Sequence, residues 1–220
     1  MFVLLFVYVF GGAIGTSLPP GIDYVDYLLP GILVQSVAFR ASQTAVGLAE
    51  DLQKGVMDRF RSMPMSRSAV LTGRTAADLV RNTVILALMI AVGYVVGFSF
   101  RNGVVAALFS IALILGFGYA LSWVFAAIAF IAGGAEAAQS AGFVAIFPLV
   151  FASSVFVPVD TMPSWLQGFA EHSPVSVTAD AARNLALGGP VASAATQSIL
   201  WSAAITFVFG GIAVWRYTRA

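Results

Sequence analysis

Cysteine is absent, so disulfides, thiol nucleophiles and thiolate metal sites are closed to this chain. Histidine occurs once, at His172, which excludes a cluster of imidazole ligands. Lysine also occurs once, at Lys54. Charged residues make up only 10% of the 220, whereas soluble domains carry about 25%. A net charge of +1 gives no reason to expect nucleic acid. What remains is apolar: 60% of residues are hydrophobic and the mean hydropathy is +0.93. A soluble core of this size could not hide so much apolar surface, so composition points to a membrane protein.

Two catalytic motifs are missing as well. A P-loop needs G-x-x-x-x-G-K-[ST], because its backbone amides cradle the phosphates and its lysine reaches them. Lys54 is followed by Gly55, and the required glycines are absent. A P-loop ATPase working with this chain would therefore be a separate polypeptide. No G-x-S-x-G elbow accompanies His172 and its neighbour Glu171, so they suggest a hydrolase only weakly. No convincing internal repeat and no interdomain linker is visible.

A membrane helix needs about 20 mostly apolar residues. Five segments approach that length: 28–49, 77–100, 104–132, 138–157 and 194–215. A sixth, 2–15, is short. It lacks the basic n-region and the A-x-A site of a signal peptide, and reads better as a span whose beginning is missing. The expectation is a single all-α, polytopic membrane domain over 1–220 with six spans, the first incomplete.

Basic residues orient it. Lys54, Arg59, Arg61, Arg67 and Arg74 follow the second span, and Arg81 lies close behind. The loop over 16–27 has no Lys or Arg but holds Asp23 and Asp26, and the C-terminal tail carries Arg216 and Arg219. The positive-inside rule predicts a multi-pass protein of the cell membrane with the 50–74 loop and both termini cytoplasmic. Arg101 is a lone exception on the outside.

That loop, EDLQKGVMDRFRSMPMSRSAVLTGR, repays a helical wheel. Over 50–63, Leu52, Val56, Phe60 and Met63 fall on one face, opposite Glu50, Asp51, Lys54, Asp58 and Arg61. The pattern predicts an amphipathic helix ended by Pro64. Ser66 or Ser68 is placed to cap a second short helix running to Leu71 and stopped by Gly73. A basic face would suit anionic lipid. The face is mixed in sign, which suits a protein partner better.

A second distinctive stretch, 156–190, joins the last two spans. Asp160 or Thr161 is placed to cap a short helix with Pro163 in its first turn, carrying Trp165, Leu166 and Phe169 and ending at Pro174. A second helix over 175–187 would stop at Gly188. Neither is long enough to span, and both suit the outer interface.

FVYVFGGAIG at 6–15, DYLLPGILVQ at 26–35, the 50–74 stretch and VFVPVDTMPSWLQGFAEHSPV at 155–175 occur in this order along essentially the whole chain. In that order and spacing the chain resembles the permease subunits of type-2 ABC exporters, especially the daunorubicin-resistance permeases. Members of that family usually carry a cytoplasmic segment before their first span, which this sequence lacks. The resemblance implies two permease chains, identical or related, each resting on a nucleotide-binding subunit. ATP and magnesium would bind that partner, with no cofactor on this chain. It also implies a coupling region at Glu50, Asp51, Gly55, Arg59, Arg61, Pro64 and Arg67, acting mechanically and electrostatically. Extracellular gate helices would hold Pro158, Met162, Pro163, Trp165, Leu166, Pro174 and Arg183. The cargo class would be an amphipathic drug, lipid or polyketide.

Polar residues inside the spans are few. Gln35, Ser36, Arg40 and Gln43 lie near one another in the second span, the last three on one face. They would line a substrate path or dimer seam, or else Arg40 snorkels or bonds a neighbouring helix. Asp78 and Arg81 form a predicted local ion pair, and Glu136 a capping-type acid in a short inner turn. Gly11-x-x-x-Gly15 and Gly93-x-x-x-Gly97 read as helix-packing spacings. An ATP-independent transporter or channel is the alternative function. It would favour acids inside the spans and inverted repeats, and neither is evident. A membrane-embedded enzyme would need clustered catalytic groups, which are also not evident.

Overall fold

The computed structural model describes residues 22–54 and 67–219, with Phe6 and Tyr8 from the segment before them. Among these residues the long elements are α-helices: α1 (Tyr24–Gln53), α2 (Arg67–Val95), α3 (Gly103–Ile131) and α4 (Ala135–Phe151). A 3-10 turn (Val159–Thr161), α5 (Ser164–His172), α6 (Pro174–Leu187) and α7 (Ala192–Arg219) follow.

α1 is the axis of the bundle: 20 of its 30 residues are buried. It packs chiefly against α3, α4 and α6, and less against α2, while α7 lies on α3 and α6. Close approaches set the directions. Gly118 of α3 meets Val37 and Gly142 of α4 meets Ser42. Gly93 of α2 meets Leu29, and Gly210 of α7 meets Trp123. With Asp26 beside Arg101, Thr44 on Asp78, Gln53 on Gly134 and Leu113 clustered with Ala195 as second points of contact, α1, α3 and α7 run one way and α2 and α4 the other. One end of the bundle gathers Asp26, Arg101, Ser154 and Arg183; the other gathers Gln53 and Gly134.

Among the described residues, three helices are long and apolar enough to cross a membrane: Ala76–Val95, Gly103–Ile131 and Ala192–Arg216. α4 is apolar but shorter. α1 rises about 45 Å at 1.5 Å per residue, more than the roughly 30 Å hydrocarbon core. Its charges Asp26, Arg40, Glu50 and Asp51 dilute its hydropathy, which a helix wrapped by neighbours can tolerate. The expected span over 2–15 lies outside the described residues, apart from Phe6 and Tyr8.

Several boundaries depart from expectation, each for a local reason. The span expected over 77–100 ends at Val95, because Gly97 takes φ +106°. Phe98 N–H then bonds Gly93 C=O at 2.9 Å and Gly97 N–H bonds Tyr94 C=O at 3.2 Å, a Schellman stop. Of the Gly93-x-x-x-Gly97 spacing, Gly93 does pack closely, on Leu29, while Gly97 is a helix terminus with nothing against it. The expected short helix ending at Gly73 is instead the start of α2, which runs unbroken from Arg67. A single helical glycine costs only about 1 kcal/mol relative to alanine. The span expected over 138–157 ends at Phe151. Ser153 Oγ turns back to Val150 C=O, and Ser154 N–H bonds Ser176 Oγ at 3.0 Å. Side-chain hydroxyls take over the backbone partners there.

Candidate functional site

α2 and α4 flank α1 without covering it, and a groove of about 660 Å³ opens between them. Its floor is one face of α1: Ile32, Gln35, Ser36, Phe39 and Arg40, at steps of three and four residues. Ile85 and Met89 of α2 form one wall; Phe143, Phe147 and Phe151 of α4 form the other. The three phenylalanines repeat every fourth residue, so their rings form a column. Centroid separations are 5.2 Å for Phe143–Phe147 and 4.3 Å for Phe147–Phe151. The column continues through Phe156 at 5.4 Å to Phe6 at 4.8 Å.

Three of the four polar residues expected to act together in this span thus share one groove. Gln35 is buried, Ser36 is half-buried and Arg40 is exposed to the groove. Gln43 is exposed but does not line it. Arg40 stands near the midpoint of α1, and its guanidinium has no hydrogen-bond or ion-pair partner among the described residues. An arginine at a bilayer midplane costs about 2.5–3.5 kcal/mol even on insertion scales, and snorkelling is least effective there. The groove leaves room for water, protein or a ligand to meet this side chain.

Below the groove, Thr44 Oγ1 donates to Asp78 at 2.9 Å, joining α1 to α2. Arg81 lies 3.9 Å from the other Asp78 oxygen, the pair expected from spacing. Thr44 carried no sequence signal.

At the Arg183 end, a buried polar knot fastens α6 to α1. Arg183 is 7% exposed. Its Nε donates to Tyr27 C=O at 3.0 Å, and its guanidinium donates to Ser154 C=O at 3.1 Å and to Asp180. It also stacks 3.6 Å over the Tyr27 ring. Tyr27 OH donates to Ser154 C=O at 3.0 Å, and Ser154 Oγ to Asp180 at 2.8 Å. Arg101, expected as an isolated exception, pairs with Asp26, and its backbone N–H bonds Ala186 C=O at 2.8 Å. The Asp180–Arg183 spacing was readable as a helix pair. Tyr27 and Ser154, more than a hundred residues apart in sequence, were not.

α5 projects from this knot. Met162 is buried, but Pro163 is the residue before α5 and not part of its first turn; Pro158 likewise precedes the 3-10 turn. Leu166 is half-buried, while Trp165 is 78% exposed with Phe169 near it. Pro174 opens α6. His172 Nδ1 sits 3.0 Å from Gly168 C=O within its own helix, a local contact that suggests no catalysis.

At the opposite end, Glu50 and Asp51 occupy the last turn of α1 and do not begin a separate helix. Glu50 pairs with Lys54 at 3.0 Å. Arg67 opens α2. Gly55, Arg59, Arg61 and Pro64 lie outside the described residues, as does most of the amphipathic pattern over 50–63. Gln53 packs on Gly134, beside a hollow of about 420 Å³ that Glu136 also lines.

The family model for the ABC-2 type transporter matches residues 1–187. The chain belongs to the ABC-2 type transporter family. It is 35% identical over 188 residues to the daunorubicin resistance ABC transporter permease protein DrrB1 of Streptomyces coeruleorubidus, covering 86% of this chain and 65% of the relative. It is 28% identical over 193 residues to the probable doxorubicin resistance ABC transporter permease protein DrrC of Mycobacterium tuberculosis, covering 88% and 70%. The chain thus spans just under two thirds of the Streptomyces relative. Family membership and apolar helices together make this a membrane protein, with its exposed valines, leucines and phenylalanines on α2, α4 and α7 facing lipid or protein.

Proposed function

We propose that the chain is the membrane-spanning permease subunit of an ATP-driven ABC exporter that moves an amphipathic molecule out of the cell. The groove on α1 carries this reading: a polar strip at the middle of the bundle's central helix, beside a column of aromatic rings. In a family of transporters, that is where a cargo with one polar and one apolar side would lie.

ATP and magnesium would be held by a separate nucleotide-binding subunit, since this sequence contains no P-loop. The Gln53–Gly134 end would face the cytoplasm, with both chain termini. Glu50, Asp51, Gly55, Arg59, Arg61, Pro64 and Arg67 would form the surface that receives force from the ATPase, and Glu136 would sit beside it. The Arg183 end would face outward, with Trp165 and Leu166 on a short helix at the exit. A second permease chain, identical or related, would complete the pathway. The reading as an ATP-independent carrier gains nothing from Asp78, whose carboxylate is tied to Thr44 and Arg81.

Two experiments check this. Arg59→Glu combined with Arg67→Glu should cut recovery of the permease–ATPase complex in a pull-down by about tenfold or more. An unchanged yield after every charge reversal across 50–67 would remove the coupling assignment. The chain has no native cysteine, so single cysteines report topology cleanly. An impermeant maleimide should label Trp165→Cys in intact cells, and Glu136→Cys only after permeabilisation. The reverse pattern would invert the proposed orientation.

A further inference from the structure

We infer that the groove selects an amphiphile carrying negative charge, with an acidic headgroup against Arg40 and an apolar body along the phenylalanine column. The inference rests on the permease reading above and adds the sign of the cargo's charge.

The lining decides that sign. Among the described residues, Arg40 is the one ionisable side chain lining the groove, and no acid lines it. The nearest acid on the flanking helices is Asp78, already engaged by Thr44 and Arg81. Any cationic headgroup would meet Arg40 with no carboxylate to offset it, in a setting where low dielectric strengthens the repulsion. A carboxylate, sulfate or phosphate would instead receive a planar fork of donors. Gln35 and Ser36 stand one turn away on the same face of α1 and add neutral hydrogen-bonding groups. Phe143, Phe147 and Phe151 then offer a surface three rings long that carries no charge and suits an acyl chain or fused aromatic system.

The test uses the permease–ATPase complex in neutral phosphatidylcholine nanodiscs. Two fluorescent dodecyl probes are compared by anisotropy, one ending in sulfonate and one in trimethylammonium. The sulfonate probe should bind about tenfold more tightly or better. Arg40→Gln should remove that preference by weakening the sulfonate alone, Arg40→Lys should keep part of it, and Arg40→Glu should reverse it. Equal binding of the two probes, or preference for the ammonium, overturns the inference. So does failure of both probes to bind; cross-linking of two permease copies through Ser36→Cys would then assign the groove to a second chain. Acidic phosphatidylglycerol in the disc separates two sources of the same chemistry. Displacement of the sulfonate assigns the site to a bilayer lipid, and an unchanged isotherm assigns it to dissolved cargo; both retain the anion. Should the ATPase subunit fail to associate, the same titration on the permease alone still reads the charge preference. Loss of the exporter reading is thereby distinguished from loss of this one.

Discussion

Arg183→Met should destabilise the folded chain by about 2–4 kcal/mol, seen as a fall in melting temperature of roughly 5–15 °C in detergent. Methionine keeps much of the volume, so the loss is mainly polar. Two carbonyls, Tyr27 C=O and Ser154 C=O, would lose a charged donor inside the protein. A buried acceptor left without a donor costs about 1–3 kcal/mol in general, and Ser154 C=O, which keeps the Tyr27 hydroxyl, would lose less than that. The stacking of the guanidinium over Tyr27 would also go. Asp180 would lose its cationic partner but keep the Ser154 hydroxyl, and its side chain is 41% exposed, so water compensates part of that loss. Arg183→Lys should fall between, because it keeps the charge but not the planar fork. Arg81→Met is the control: its contact with Asp78 is 3.9 Å at an exposed site and should change stability by about 0.5 kcal/mol or less. If Arg183→Met melts with the wild type, the knot does not hold α6 to α1.

Gly31→Leu should be worse still, and Gly31→Ala already damaging. A Cβ at Gly31 would lie 2.5 Å from Val155 O and 3.0 Å from Val155 Cα. Those atoms are backbone, so no rotamer change relieves the clash. The opposing strand of chain is itself held, since Tyr27 OH binds Ser154 C=O and Ser154 N–H binds Ser176. α1 would have to move away from the 152–156 turn. Overpacking of this kind costs about 1–3 kcal/mol for a small insertion, and leucine adds three further carbons. Gly211→Ala on α7 is the matched control: it is exposed with nothing within 4 Å of the added carbon. It should be neutral or gain up to about 1 kcal/mol from better helix propensity. Size-exclusion profiles after heating would rank the three. A Gly31→Ala protein as heat-stable as the wild type would show that the close approach is not tight.

Much of the helical layout was legible. The segments 104–132 and 194–215 match α3 and α7 closely because long apolar runs mark themselves. The pair of short helices α5 and α6 was visible through Pro163, Pro174 and Gly188, which act on their own neighbours. Failures came where a helix stops inside an apolar run. Phe98 and Phe100 extend the hydrophobic count past Gly97, and Val155 to Val157 extend it past Ser153. A positive φ and a back-turned hydroxyl leave no trace in hydropathy. At the site, Gln35, Ser36 and Arg40 could be found because polar residues are rare in spans. Their aromatic wall could not, because one phenylalanine among 18 looks like another until α4 is laid beside α1.

Counts and order alone determined that this is a helical membrane protein without a P-loop, because composition and short-range spacing are properties of the chain read locally. Only the tertiary structure decided which helix lies in the middle. α1 is not among the three clear span candidates, yet it is the axis of the bundle. The cost of its polar groups depends on what surrounds them, and that is set by packing between helices far apart in sequence.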